Sequence, residues 1–213
     1  MHRMTMMALF VALSGAAFGL GPGAALGAET VPKQTGGRDA AHLHYSQGVG
    51  LLSAGDLLGA RAELREALRL QPDLVQARFS LGTALYLSGD VDSAIDAYRT
   101  VIHQQPELAH AHLHLGIALL VTHAGADAHA ALKTAVSLQP DSVTAHYNLG
   151  RVRDRLGERH SAIESYREAL RLRPDHSEAH YHLGLALKQN KQEVEATKEF
   201  LAGAWQIGNQ YRT

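Results

Sequence analysis

Cysteine is absent from all 213 residues. Within this chain, that excludes a disulfide, a thiolate nucleophile, a thiolate metal site and a lipid-anchored N-terminal cysteine. A charge excess of either sign is missing too. The formal net charge is −1 with histidines neutral, so nothing global recommends nucleic acid as a partner. Proline is scarce at six residues, and four of them prove to be evenly spaced. After the N-terminal thirty residues no apolar run approaches the ~20 residues that a membrane-spanning helix needs. Phosphate loops, nucleophile elbows and zinc-protease helices do not occur. The Gly-rich GLGPGAALG belongs to the N-terminal segment, and HSEAH at 176–180 holds the letters of a metalloprotease helix in the wrong order. The expectation is therefore no enzyme and no cofactor.

What is present is an ordinary globular composition, 46% hydrophobic and 19% charged, which excludes wholesale disorder. The N-terminus stands apart. MHRMTMM carries Arg3 as its only fixed side-chain charge, then ALFVALSGAAFGL follows without charge, then the small-residue stretch GPGAALGA. This is the order of a secretory signal, so residues 1–28 are expected to export the chain to a periplasmic or extracellular compartment, with cleavage after Gly27 or Ala28. An uncleaved anchor is the alternative, and its core, interrupted by Gly15 and Gly19, is short for a span. Residues 29–40, ETVPKQTGGRDA, read as a flexible linker.

From there the chain repeats itself every 34 residues. Gly48, Gly82, Gly116, Gly150 and Gly184 keep that spacing, as do Ala60, Ala94, Ala128, Ala162 and Ala196, and Pro72, Pro106, Pro140 and Pro174. Each period holds two stretches with apolar residues at three- and four-residue spacing, for example VTAHYNLGRVRDRL and SAIESYREALRL, which predict two helices. Gly55, Gly89 and Gly157 mark the turn between them, and proline ends the second helix. Gly and Ala at the shared positions let paired helices approach more closely than Leu would. The expected units are 41–74, 75–108, 109–142, 143–176 and 177–210.

This pattern resembles the tetratricopeptide repeat. The unit TAHYNLGRVRDRLGERHSAIESYREALRLRPD matches its motif at Leu149, Gly150, Ala162, Tyr166, Ala169 and Pro174. The resemblance covers 41 to about 210 and implies an all-α solenoid of about five helix-turn-helix repeats. Some positions depart from the pattern. Gln47 replaces the motif leucine, and Arg153 stands where the fourth unit should be apolar. His123, followed by Gly125, replaces a turn glycine, so that turn is expected to be distorted. Lys191 replaces another turn glycine, Gly203 replaces a small alanine, and no proline closes the last unit.

Fourteen histidines raise the question of metal. In HAHLHLG, His112 faces away from His110 and His114, since residues two apart point to nearly opposite sides of a helix. His110 and His114 share a face at a spacing that can chelate, but no third ligand is evident in sequence. His44, His112, His146 and His180 fall at the fourth place of their units, where the family usually carries an aromatic. A ring packing between repeats explains them without a ligand.

The resemblance also implies a concave groove lined by the second, fifth, ninth and twelfth places of each first helix. The fifth places are Tyr45, Phe79, Leu113, Tyr147 and Tyr181; the ninth are Val49, Thr83, Ile117, Arg151 and Leu185; the twelfth are Leu52, Tyr86, Leu120, Asp154 and Lys188. His110 is a second-place residue and Arg155 adjoins the twelfth. Phe79, Tyr86, Leu113, Ile117 and Leu120 are expected to form an apolar floor, and Arg151, Asp154, Arg155 and Lys188 a charged end, suited to a peptide with an acidic end. The two-carboxylate clamp of chaperone-binding members is not implied, because Tyr45 and Val49 occupy its Lys and Asn places. The expected function is an exported scaffold that binds a protein or peptide in this groove, in envelope assembly or complex organisation. A histidine-rich metal-binding protein and a non-catalytic subunit of an envelope enzyme are the alternatives. Trp205, Ile207 and Tyr211 near the C-terminus suggest self-association there.

Overall fold

The computed structural model describes the backbone of residues 35–210 and the side chains of 36–205. The expected signal at 1–28 and the side chains of Ile207 and Tyr211 lie outside the described residues. Among these are ten α-helices and no strand: α1 (Thr35–Ser53), α2 (Leu57–Leu70), α3 (Val75–Leu87), α4 (Val91–Gln104), α5 (Ala109–Val121), α6 (Gly125–Leu138), α7 (Val143–Arg155), α8 (Arg159–Leu172), α9 (Ser177–Gln189) and α10 (Glu193–Gln210). The chain divides into two compact units at Gln104 and Gln105. In the first, α1 packs on α2, α2 on α3, α3 on α4, and α1 also on α3. In the second, each helix from α5 to α10 packs on the next, apart from the shared face of α5, α7 and α9, where alternate helices touch.

Helices α3, α5, α7 and α9 begin at Val75, Ala109, Val143 and Ser177. Helix α1 begins earlier in its repeat. Residues 35–40, read from composition as part of a flexible linker, are the opening turns of α1. Propagating a formed helix outweighs the roughly 1 kcal/mol that each glycine there costs.

The glycine comb is the contact between the two helices of a pair. A Cβ on Gly48, Gly82, Gly116, Gly150 or Gly184 would stand 2.5–2.8 Å from the side chain sixteen residues on: Leu64, Tyr98, Leu132, Tyr166 or Phe200. The alanine comb lies at the same seam and is 0–1% exposed throughout.

The inter-helix turn has one geometry in all five repeats. The amide of the sixth residue donates to the carbonyl of the first: Asp56 to Leu51, Asp90 to Leu85, Ala124 to Leu119, Glu158 to Arg153 and Gln192 to Leu187, at 2.9–3.1 Å. The residue before each of these amides is left-handed. Gly55, Gly89 and Gly157 have φ of 82°, 88° and 80°, and His123 and Lys191 reach 60° and 62°. The distortion expected at His123 therefore does not occur. Packing of the flanking helices forces the glycine conformation on a residue with a Cβ, and Gly125 simply opens α6.

Candidate functional site

The fourth place of each repeat does more than pack. His112, His146 and His180 donate Nε2–H to the carbonyls of Pro106, Pro140 and Pro174 at 2.8–2.9 Å, and Arg78 donates from Nη2 to Pro72 at 2.8 Å. Helices α3, α5, α7 and α9 are thus each fastened to the loop before them through the carbonyl of the proline that follows the preceding helix. On the other ring nitrogen, His44 Nδ1 lies 2.6 Å from Glu63 Oε2 and His180 Nδ1 lies 2.7 Å from Glu199 Oε2. The sequence shows these residues on one comb but not the six-residue reach to the proline carbonyl.

In the first unit, Tyr45, Phe79 and Tyr86 are half-buried on α1 and α3. Burial raises the Tyr45 hydroxyl above its usual range, although a hydrogen bond with Ser80 opposes this. Phe79 meets Tyr98 at 5.7 Å between ring centres. Thr83 is buried, and its Oγ1 receives the Tyr98 hydroxyl at 3.4 Å.

In the second unit the expected apolar floor is withdrawn from solvent. Leu113, Ile117 and Leu120 are 4%, 8% and 3% exposed. The reason is that AHAHLHLGIALLV is apolar on nearly every side, and nine of the thirteen residues of α5 are buried. These three residues build the core and offer a ligand no open surface.

What stays open on the shared face of α7 and α9 is a run of rings. Tyr147 lies 4.9 Å from His176, 5.7 Å from His182 and 6.1 Å from Tyr166. His182 stacks on Tyr166 at 5.9 Å and meets the edge of Tyr181 at 5.5 Å, and Tyr181 continues to Phe200 at 6.0 Å. Tyr181 is 54% exposed. Arg151 holds its guanidinium 5.7 Å from the centre of the Tyr147 ring and donates to Asn148 Oδ1 at 3.0 Å. Burial pushes the Tyr147 hydroxyl up to about 12, and the Tyr166 hydroxyl higher still, with the charge of Asp154 adding to it. Both are donors at neutral pH. The Tyr166 hydroxyl is buried and has no hydrogen-bond partner. Burial lowers the His182 imidazole, and Arg151 lowers it further.

The structure therefore brings together Tyr147, Arg151, Asp154 and Tyr181 of the expected site and adds His176 and His182, with Tyr166 buried beneath them. Arg155 is engaged elsewhere: its Nη1 donates to the backbone carbonyl of Leu120 and ties α7 to the end of α5. Lys188 is exposed on the last turn of α9. His110 is half-buried on the first turn of α5, and its charge adds to the desolvation that lowers the fully buried His114 to about 3. Among the described residues no group of three or more His, Asp or Glu side chains stands close enough to hold a metal ion.

Ten helices in repeated pairs, closed by one turn geometry and one glycine contact, define a helical-repeat protein. Family models described as tetratricopeptide repeat match residues 45–109 and 85–149, and one described as TPR repeat matches 155–191. The chain belongs to the tetratricopeptide repeat family, and its fold is the all-α solenoid of that family. Among solved structures it is similar to MamA, at 26% identity and a TM-score of 0.72 over 78% of this chain and 97% of that one. It is also similar to the 41-to-end chain of MamA from Desulfovibrio magneticus RS-1 (24% identity, TM-score 0.75, over 81% and 97%). A third likeness is YrrB, a TPR protein with an unusual peptide-binding site (19% identity, TM-score 0.67, over 78% and 86%). No curated protein matches it. Repeats of this family generally serve as non-catalytic scaffolds that present an extended binding surface.

Proposed function

We propose that this is an exported scaffold protein that binds a segment of another protein, in cell-envelope assembly or the organisation of an envelope complex. One observation carries the binding site: the run of rings from His176 through Tyr147 and His182 to the exposed Tyr181, with Arg151 over its Tyr147 end. Tyrosines that keep one edge wet, next to a fixed guanidinium, suit a peptide that brings apolar side chains and a carboxylate. Asp154 opposes Arg151 electrostatically, so the acidic group is expected to sit on the Tyr147 side of Arg151. YrrB, a similar fold with a peptide-binding site, supports the class of ligand.

Affinity capture from an envelope fraction, with residues 29–213 as bait, supplies the partner. Calorimetry with the recovered segment then tests the site. Tyr181→Ala should weaken binding by about 1–2 kcal/mol, as truncating an anchor does. Arg151→Glu should slow association and reduce its salt dependence. Unchanged affinity in both variants would remove the ring run from the function.

Export rests on the charge, apolar and small-residue order of residues 1–28. N-terminal sequencing of protein from the native host tests it. A mature start near residue 28 is expected, and an intact Met1 on soluble cytoplasmic protein would overturn it.

A further inference from the structure

The fourth repeat carries two substitutions that no other repeat combines. At the eleventh place Leu51, Leu85, Leu119 and Leu187 become Arg153. At the twenty-third place the first and last repeats carry Glu63 and Glu199, each within 2.7 Å of Nδ1 of the fourth-place histidine. In the fourth repeat that place is Ser165, although the histidine, His146, is present. His146 has the same anchor as His180, with Nε2–H donating to a proline carbonyl at 2.8 Å, so its Nδ1 is turned toward the twenty-third place in the same way. The carboxylate that meets this nitrogen in the first and last repeats is missing here, and a guanidinium has been added.

The two changes meet. Arg153 donates from Nη1 to Ser165 Oγ at 2.7 Å and to the Ser161 carbonyl at 3.2 Å. It forms no ion pair among the described residues, and its Nε is buried without a hydrogen-bond partner. Beside it, between α6, α7 and α8, a shallow cavity of about 460 Å³, widely open to solvent, is lined by His146, Arg153, Ser165 and Lys133, with Val136 and Leu149 as apolar wall. Glu164 and Glu168 also border it. Glu168 is bound by Nε and Nη2 of Arg171 at 2.7–3.0 Å and also feels the charge of His146, while Glu164 borders the same space as the two cations Arg153 and Lys133. Arg153 forms a direct ion pair with neither bordering carboxylate, and a carboxylate is the group that matches the geometry of a guanidinium.

We propose that this cavity binds a carboxylate, which takes the position that Glu63 and Glu199 occupy in the first and last repeats. The ligand bonds the outer Nη of Arg153, shares a proton with Nδ1 of His146, and lays its carbon stem on Val136 and Leu149. The space exceeds a carboxyl group alone, so the ligand is either a small organic acid or an acidic side chain of a polypeptide. The site lies apart from the ring run and does not depend on it.

Nuclear magnetic resonance of the ¹⁵N-labelled protein, observing the Arg153 Nε–H, tests this with two probes, sodium glutarate and a blocked Gly-Glu-Gly peptide. A saturable shift of that signal is expected. Saturation by glutarate identifies a free acid as sufficient, and saturation by the peptide alone identifies a polypeptide source. Arg153→Leu restores the comb residue and should abolish the response. Ser165→Glu restores the internal carboxylate, so it should raise Tm without ligand and weaken both probes by roughly tenfold or more. No saturable shift with either probe, or equal binding by wild type and Arg153→Leu, overturns the proposal, as does a Ser165→Glu protein that folds yet binds as before.

Discussion

His114 sits at the sixth place of its repeat, where the other units carry Ser46, Ser80, Asn148 and His182, and it is 3% exposed. Burial, helped by the charge of His110, holds its imidazole down at about 3. An unfolded histidine titrates near 6.5. Between those values the unfolded chain takes up a proton that the native protein refuses, so stability falls as pH falls. The slope is at most about 1.4 kcal/mol per pH unit, and the contribution is flat above about 6.5. Urea melts at pH 7 and pH 5 should show a larger loss for wild type than for His114→Leu, and equal losses would place the burial elsewhere. The left-handed residues give a second prediction. His123 and Lys191 hold φ near 60° where three other repeats use glycine. Both are exposed, so replacing them removes little besides strain. His123→Gly and Lys191→Gly should each stabilise by about 1 kcal/mol, read as a rise in Tm, whereas Gly89→Ala should do the reverse.

At the scale of helices, the pairing was legible because it is written several times over. The Gly150-to-Tyr166 contact and the buried Ala162 recur at 34-residue spacing, and a pattern repeated five times outweighs any local ambiguity. Single-repeat features were not legible in this way. The resemblance placed Leu113, Ile117 and Leu120 on a groove, but α5 lacks a polar face, so burial on all sides took them instead. In sequence the fourth-place histidines look like packing rings, because their partner is a backbone carbonyl that sequence does not display. His112→Phe keeps a flat ring and deletes only the bond from Nε2 to Pro106. It should cost about 0.5–1 kcal/mol in a denaturant melt, the usual worth of a hydrogen bond near the surface. An unchanged midpoint would show that the ring alone is what the repeat needs.

For the whole molecule, the last helix departs from the rule that governs the outward face of the others. Val194, Leu201 and Trp205 fall within about 40° of one another around α10, since steps of seven and eleven residues nearly complete whole turns. They are 72%, 66% and 65% exposed. The same places hold His160, Arg167 and Arg171 in the fourth repeat, Asp92, Arg99 and His103 in the second, and Leu58, Arg65 and Arg69 in the first. Elsewhere, then, this face is mostly charged, and only the fifth repeat makes it wholly apolar. A second copy of the chain laying the same stripe against this one would cover it by a two-fold contact, without any change to the ring run on α7 and α9. Because Trp205 is the chain's one tryptophan, its emission reports this face alone. Dilution of wild type should shift that emission to longer wavelength as light scattering falls toward the monomer mass. Leu201→Lys, which leaves the reporter in place, should give the long-wavelength, monomeric state at every concentration. Emission and mass that are independent of concentration in wild type would remove self-association through α10.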